Sequence, residues 1–356
     1  MGLARPARRQ PMPQPKTNRR SFLETLAMVG VGSQVLLRTR DLQAATDSAQ
    51  QSVDNAPWPG MTYRTLGRTG FRASRLVYGC GAALSRQPND RLLNIAMEAG
   101  VNVYDVGYSG YYRDAEKNLA AFAKQHRDDI FLISKAPAPG GADDEVDTAT
   151  AKRAAAAWTM LLDKSLSELE TGHVDAYYQM AANNPGVIRA EEMYRAFEDA
   201  KAAGKVSYLG LSTHENAQEV LEAAIETGWF DLAMIAITPA GWYDWNKREI
   251  LQGSDDMTHL APLLKRAKDA GIGLVGMKVG RLLAGRRWGG GANGKVFDQF
   301  YDDSVLGQEL SDFQRSYAFV LAHGMDVVNA DIQSYDMLKE NFVAAATAEK
   351  VFAATA

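Results

Sequence analysis

Six times after Met61, a segment of helical period stops at a glycine and an apolar, strand-like run begins within three residues. The stops are Gly100, Gly172, Gly204, Gly228, Gly271 and Gly324. Glycine reaches the left-handed conformation that closes a helix at little cost, so each reads as a C-terminal helix stop. The segments ahead of them are amphipathic. Leu92, Ile95, Ala96 and Ala99 fall at i, i+3, i+4 and i+7, and Leu162, Leu166 and Leu169 form a second stripe. With the apolar runs at 76–80 and 130–135 the count reaches eight strands, each followed by a helix. That alternation calls for a parallel sheet, and eight strands in roughly 290 residues predict an α/β fold closed into a (β/α)8 TIM barrel. An open doubly wound sheet would need a Gly-x-Gly-x-x-Gly turn after the first strand, and Gly79-Cys80-Gly81-Ala82-Ala83-Leu84 does not supply one. Ahead of the first strand, Gly67-Arg68-Thr69-Gly70 reads as a hairpin turn that plugs the N-terminal end of the barrel.

The N-terminal residues follow a different pattern. Arg5, Arg8 and Arg9 lead into a Pro-rich stretch, then Asn18-Arg19-Arg20-Ser21-Phe22-Leu23 and an apolar run over 25–37. A basic start before a short apolar run is the pattern of an export signal, and the run is too short for a resident membrane span. The paired arginines before Ser-Phe-Leu resemble the twin-arginine class. Residues 1–45 are therefore expected to be a twin-arginine signal segment, 46–60 a linker and 61–356 the barrel. A chain of that kind would be passed to the twin-arginine translocation machinery and reside in the periplasm. The net charge of −4 offers no basic field for nucleic acid. A single cysteine, Cys80, rules out an intrachain disulfide framework and any cage built from cysteines of one chain alone.

Active sites of such barrels lie at the C-terminal ends of the strands. Read there, the sequence offers Cys80, Asp105, Lys135, Met180, Ser212, Ile237 or Thr238, Lys278 and Ala330. Asp105 and Lys135 close neighbouring strands, where a structural ion pair and a chemical one are equally consistent with the pattern. A tyrosine beside an ammonium can serve as a proton donor to a carbonyl, because the ammonium stabilises the phenolate. The loop after the second strand, Gly107-Tyr108-Ser109-Gly110-Tyr111-Tyr112, holds three candidates.

Several stretches resemble the aldo-keto reductase family. Tyr63-Arg64-Thr65-Leu66-Gly67-Arg68-Thr69-Gly70 with Ser74-Arg75-Leu76 is similar to the opening of its bacterial members. Ala99-Gly100-Val101-Asn102-Val103-Tyr104-Asp105 and Ile133-Ser134-Lys135 resemble its second and third strands, Leu209-Gly210-Leu211-Ser212 its fifth, and Leu338-Lys339-Glu340-Asn341 its C-terminal cofactor segment. The resemblance runs over most of 61–345. It implies a (β/α)8 barrel that binds NADPH across its mouth, with NAD left open, and that interconverts a small-molecule carbonyl and alcohol by hydride transfer. Asp105 and Lys135 match the family's catalytic pair. The tyrosine spacing is ambiguous: counting from the aspartate lands on Gly110, counting back from Ala115-Glu116 lands on Tyr112, and one inserted residue favours Tyr111. Cys80, Ser212, Lys278, Arg281, Glu340 and Asn341 are the positions expected at the cofactor, with a phosphate-covering loop around Arg286, Arg287 and Gly289-Gly290-Gly291. Met180 stands where the family has a histidine, so the tetrad is incomplete. His214, just beyond the fifth strand, and Trp242, Tyr243 and Trp245, beyond the sixth, are candidate compensations. Two alternatives follow: a weakened barrel that binds a nucleotide or small ligand without turnover, and a Schiff-base enzyme using Lys135 or Lys278.

Overall fold

The computed structural model describes residues 58–137, 144–284 and 293–353. The proposed export signal and the loop residues Arg286, Arg287 and 289–291 lie outside them. Two short antiparallel strands open the described chain, β1 (Tyr63–Thr65) and β2 (Arg72–Ser74). The barrel strands begin with β3 (Leu76–Gly79), β4 (Val103–Asp105), β5 (Phe131–Pro137), β6 (Val174–Met180), β7 (Val206–Thr213) and β8 (Leu232–Thr238). β8 runs into a hairpin, β9 (Gly241–Asp244) and β10 (Glu249–Ile250), before β11 (Gly273–Met277) and β12 (Val327–Asp331) complete the set. The order β8-β11-β12-β3-β4-β5-β6-β7 is parallel throughout, and β7 pairs with β8 to close the ring. That closure excludes the open sheet.

Around the ring run α1 (Asp90–Glu98), α2 (Ser109–Tyr112), α3 (Ala115–Gln125), α4 (Thr148–Glu168), α5 (Pro185–Ile188) and α6 (Glu191–Ala202). They are followed by α7 (Ala217–Thr227), α8 (Ala261–Asp269), α9 (Asp303–Leu306), α10 (Asp312–Ala322) and α11 (Tyr335–Ala353). Among the described residues no helix is long and apolar enough to cross a membrane. Five of the six glycine stops take left-handed φ; at the end of α4 the turn is made by Glu170 (φ 51°) instead of Gly172. There the helix ends early, and the amide of Thr171 bonds back to the Leu166 carbonyl at 3.1 Å. The barrel unit also takes in residues that the sequence assigned to a linker. Trp58 packs on Phe342 (4.7 Å between ring centres) and Tyr335 (5.7 Å), so the barrel unit begins before Met61.

Two hydrophobic layers follow from the strand period of two. Val77, Val103, Phe131, Ile133, Tyr178, Met234, Val275 and Val327 fill the barrel interior. Their sequence neighbours Tyr78, Tyr104, Leu132, Tyr177, Ile235, Leu274 and Val328 point outward into the layer shared with the helices. The β1–β2 hairpin stoppers the N-terminal end as expected. Its buried Leu66 and the partly buried Phe71 join the interior layer, and the hydroxyl of Tyr208 donates to the Thr69 carbonyl at 3.0 Å. The turn lies so close to β11 that a Cβ on Gly67 would stand 2.2 Å from the Gly273 amide nitrogen.

One ionisable group is sealed between sheet and helices. Ser134, on the outward side of β5, donates at 2.6 Å to Glu116 on α3. Burial pushes the Glu116 carboxyl well above the usual carboxylate range; the hydroxyls of Ser134 and Ser165 oppose the shift and Glu168 adds to it. Oε2 of Glu116 and Oε2 of Glu168 are both buried with no donor, and one proton held between the carboxyls would serve both. A raised acid keeps its proton in the fold after the unfolded chain has lost it. Stability is then fully present at pH below the ordinary carboxylate range and falls as pH rises toward the raised value. Glu116→Gln should remove that dependence. We expect the variant to melt about 2–8 °C higher than the parent at pH 8, corresponding to roughly 1–2 kcal/mol, and nearly equal to it at pH 5. Equal melting temperatures at both pH values would show that the carboxyl ionises freely.

Candidate active site

At the C-terminal rim the period of two decides which side chains enter the mouth. Counting from the interior layer, the inward positions are Gly79, Asp105, Lys135, Met180, Ser212, Thr238, Met277 and Asp331. Cys80 and Ile237 fall on the other parity. Both are fully buried in the outer layer, so the expectation that Cys80 touches a cofactor is corrected: its thiol faces the helices, 3.5 Å from the Tyr78 carbonyl.

Asp105 and Lys135 do meet. Nζ of Lys135 donates to Oδ1 of Asp105 at 2.5 Å and to the Val106 carbonyl at 2.5 Å. The other carboxylate oxygen, Oδ2, accepts from Asn329 Nδ2 at 2.6 Å. Asn329 sits on β12, separated from β4 by β3, and it reaches across because the intervening inward residue is Gly79. A Cβ there would lie 2.5 Å from the Asn329 Oδ1 atom. Sequence reasoning passed over Asn329. Its parity with Val327 was the available signal.

The tyrosine choice is also corrected. Ser109–Tyr112 coils into one helical turn, with the amide of Tyr112 bonded to the Tyr108 carbonyl at 3.1 Å. That turn swings Tyr111 outward, 58% exposed, and carries the Tyr112 ring inward beside Lys135, whose Nζ lies 5.7 Å from the ring centre. Two glycines make the slot. A Cβ on Gly81 would come within 2.5 Å of the Tyr112 ring, and one on Gly107 within 2.9 Å of both that ring and the Lys135 chain. Burial pushes the Tyr112 phenol up, with Asp105, Tyr111 and Asp331 adding to the shift, so the free phenol stays protonated.

A second cluster faces the first. Trp245, just past β9, carries Lys278 Nζ at 4.2 Å from its ring centre, Arg281 at 5.7 Å and the His214 ring at 5.9 Å. Burial lowers Lys278 to about 8, with Arg281 adding and Asp331 opposing. Burial lowers His214 to about 3, helped by Lys278 and Lys135. Among the described residues neither Lys278 nor Arg281 forms an ion pair with a carboxylate within 4.0 Å; Asp331 acts on Lys278 from farther away. Trp242 and Tyr243 are buried in the wall below. Met180 ends β6 inward and 7% exposed, a thioether with no N–H or O–H to donate.

The other expected cofactor contacts are less open. Ser212 is buried, and its Oγ accepts from the Ala181 amide at 3.4 Å. Glu340 and Asn341 follow each other on α11; Glu340 accepts from the Ser311 hydroxyl, and Asn341 is buried. His173, at the opposite end of the barrel, bonds Arg127 and Ser207 and takes no part in the mouth.

The chain is similar to known proteins. A relative from Bacillus subtilis (strain 168), the uncharacterized oxidoreductase YrpG, is 27% identical over 243 residues, spanning 64% of this chain and 69% of that protein. Among solved structures, the aldo-keto reductase AKR11C1 from Bacillus halodurans in its holo form superposes with a TM-score of 0.57 at 21% identity, covering 80% of this chain and 90% of that one. That likeness speaks for the fold alone. The sequence model described as the aldo/keto reductase family matches residues 76–279, from the first barrel strand through the seventh. The chain belongs to the aldo/keto reductase family and is, with it, an oxidoreductase of carbonyl and alcohol groups.

Proposed function

We propose that this barrel reduces a small-molecule carbonyl with NADPH, with Tyr112 as proton donor and Lys135 and Asp105 behind it. The observation that carries the reading is the Lys135 ammonium, held by Asp105 and the Val106 carbonyl next to the Tyr112 ring. An ammonium has three N–H groups; two are spent, and the third is left for the phenol oxygen. As a proton leaves Tyr112 for the carbonyl oxygen, the phenolate charge develops beside that cation, which Asp105 holds in place. The nicotinamide cofactor supplies the hydride to the carbonyl carbon. Lys278 and Arg281 suit its phosphates, being rim cations with no ion-paired carboxylate among the described residues. Glu340, already engaged by the Ser311 hydroxyl, and the buried Ser212 and Asn341 are further cofactor positions only on the family resemblance. NADPH is preferred over NADH on the family resemblance, not on a residue seen here.

Met180 favours a slow version of this chemistry and, in the limit, a barrel that binds nucleotide without turnover. With 4-nitrobenzaldehyde and NADPH, Tyr112→Phe should cut kcat by about 10²-fold or more. Tyr111→Phe should leave it close to the parental value. The reverse ranking would restore Tyr111 as the donor, and a parent that consumes no NADPH would favour the binding-only barrel.

NADPH fluorescence should titrate to saturation, and Lys278→Met should raise the Kd by about 10- to 100-fold, the worth of one charge-assisted contact. An unchanged Kd would place the phosphates elsewhere.

We further propose export through the twin-arginine route, which carries folded proteins and so suits a barrel that loads its nucleotide before translocation. The pair Arg19→Lys and Arg20→Lys should hold the protein in the cytoplasm on cell fractionation. Undiminished periplasmic protein would refute the route.

A further inference from the structure

A carbonyl oxygen has two acceptor positions, and Tyr112 serves one of them. The rim offers few groups for the second. Met180 has no donor, and Thr238 is buried and spends its hydroxyl on the Gly241 carbonyl at 3.2 Å. Ser212 is sealed beneath the end of β6. Lys135 is committed to Asp105 and Val106, and Lys278 lies over Trp245.

His214 remains. It continues the inward parity of Tyr208, Gly210 and Ser212 one step past the end of β7, and its ring is half-buried. Its backbone is fastened on both sides. The amide donates to Asn183 Oδ1 at 3.0 Å, and the carbonyl accepts from the Trp245 amide at 3.4 Å. The same Asn183 oxygen also accepts from the Thr213 hydroxyl at 3.0 Å and the Glu215 amide at 3.3 Å, so one side chain clamps the whole turn. Asn183 belongs to the loop that leaves β6 directly after Met180, where Ala181 takes a left-handed φ of 52° and Ala182 donates to the Ser212 carbonyl at 2.8 Å. Positioning thus consumes the His214 backbone and neither ring nitrogen. Among the described residues neither nitrogen has a hydrogen-bond partner.

We propose that His214 is a second catalytic residue, whose ring N–H donates a hydrogen bond to the substrate oxygen opposite Tyr112, in the role that Met180 cannot fill. The inference rests on the carbonyl-reductase reading above. The surroundings suit a neutral ring: Lys278 and Lys135 both oppose an imidazolium, so His214 polarises the oxygen and leaves proton transfer to Tyr112. No proton is consumed by His214, and the carbonyl still gains one hydride at carbon and one proton at oxygen.

The test is NADPH-dependent reduction of 4-nitrobenzaldehyde by the full-length protein, with NADPH affinity measured in parallel. His214→Phe fills the space without a donor and should lower kcat on the order of 10²-fold, the loss typical of one donor to a developing oxyanion. Its NADPH affinity should stay within about twofold of the parent if the ring acts on substrate and not on cofactor. His214→Gln keeps an N–H and should recover part of the rate. Parental kcat in His214→Phe, alongside a dead Tyr112→Phe, overturns the assignment and leaves the Tyr112 reading standing. A His214→Gln enzyme no faster than His214→Phe overturns it as well, as does a loss of NADPH affinity that parallels the loss of rate, since either marks a structural role. A parent that consumes no NADPH with the aldehyde overturns both readings together.

Discussion

The mouth of this barrel is organised around one buried charge, the ammonium of Lys135, which a low-dielectric interior tolerates only when paired and fully hydrogen-bonded. Its pairing with Asp105 at 2.5 Å settles half of that requirement. The other half falls on Asp105, whose second oxygen would be stranded without the Asn329 amide. Three strands therefore have to agree, β4 for the carboxylate, β5 for the ammonium and β12 for the amide. They agree because β12, β3, β4 and β5 are consecutive neighbours in the sheet, with a glycine at the level where Asn329 crosses. The ion pair adds little net stability of its own, because desolvation consumes most of the attraction. Its consequence is order. It holds the ammonium on Asp105 and Val106, with the Tyr112 ring beside it.

Absence of side chains at chosen points does as much as their presence. Gly81 and Gly107 hold open the slot for the Tyr112 ring, as Gly79 does for Asn329 and Gly210 for Tyr178, which would lie 2.1 Å from an added Cβ. On the far side of the mouth the β9–β10 hairpin turns back over the rim. It sets Trp245 against Lys278, Arg281 and His214, and ties them to the turn after β7 through one backbone hydrogen bond. One cluster sets a phenol beside a paired ammonium, and the other gathers two cations and an imidazole ring. Burial pushes His214 toward the neutral form, and the Lys278 and Lys135 charges add to that push.

Much of the architecture was legible because it depends on local signals. Glycines at helix ends, the leucine stripe through Leu162, Leu166 and Leu169, and the hairpin glycines at 67 and 70 each act within a few residues of their own position. Glu170 in place of Gly172 marks the limit of that legibility, since the helix there unwinds two residues before the glycine. Which tyrosine lies beside Lys135 was hidden in the sequence for a related reason. Counting forward from Asp105 crosses a loop whose length hides a helical turn, whereas counting back from Glu116 starts on a helix anchored by a buried carboxyl, and it arrives at Tyr112.

By itself the sequence determined the alternation of strands and helices, their number, the family, and the placement of Asp105 and Lys135 at adjacent strand ends. These follow from periodicities and motifs that a linear chain displays. Only the tertiary structure decided which neighbours at a strand end face the mouth. It turned Cys80 and Ile237 outward, brought Asn329 across β3, and chose Tyr112 over Tyr111. A period of two assigns opposite faces to successive residues, but which parity faces inward is set by the ring as a whole, where hydrogen bonding between strands distant in sequence fixes the register.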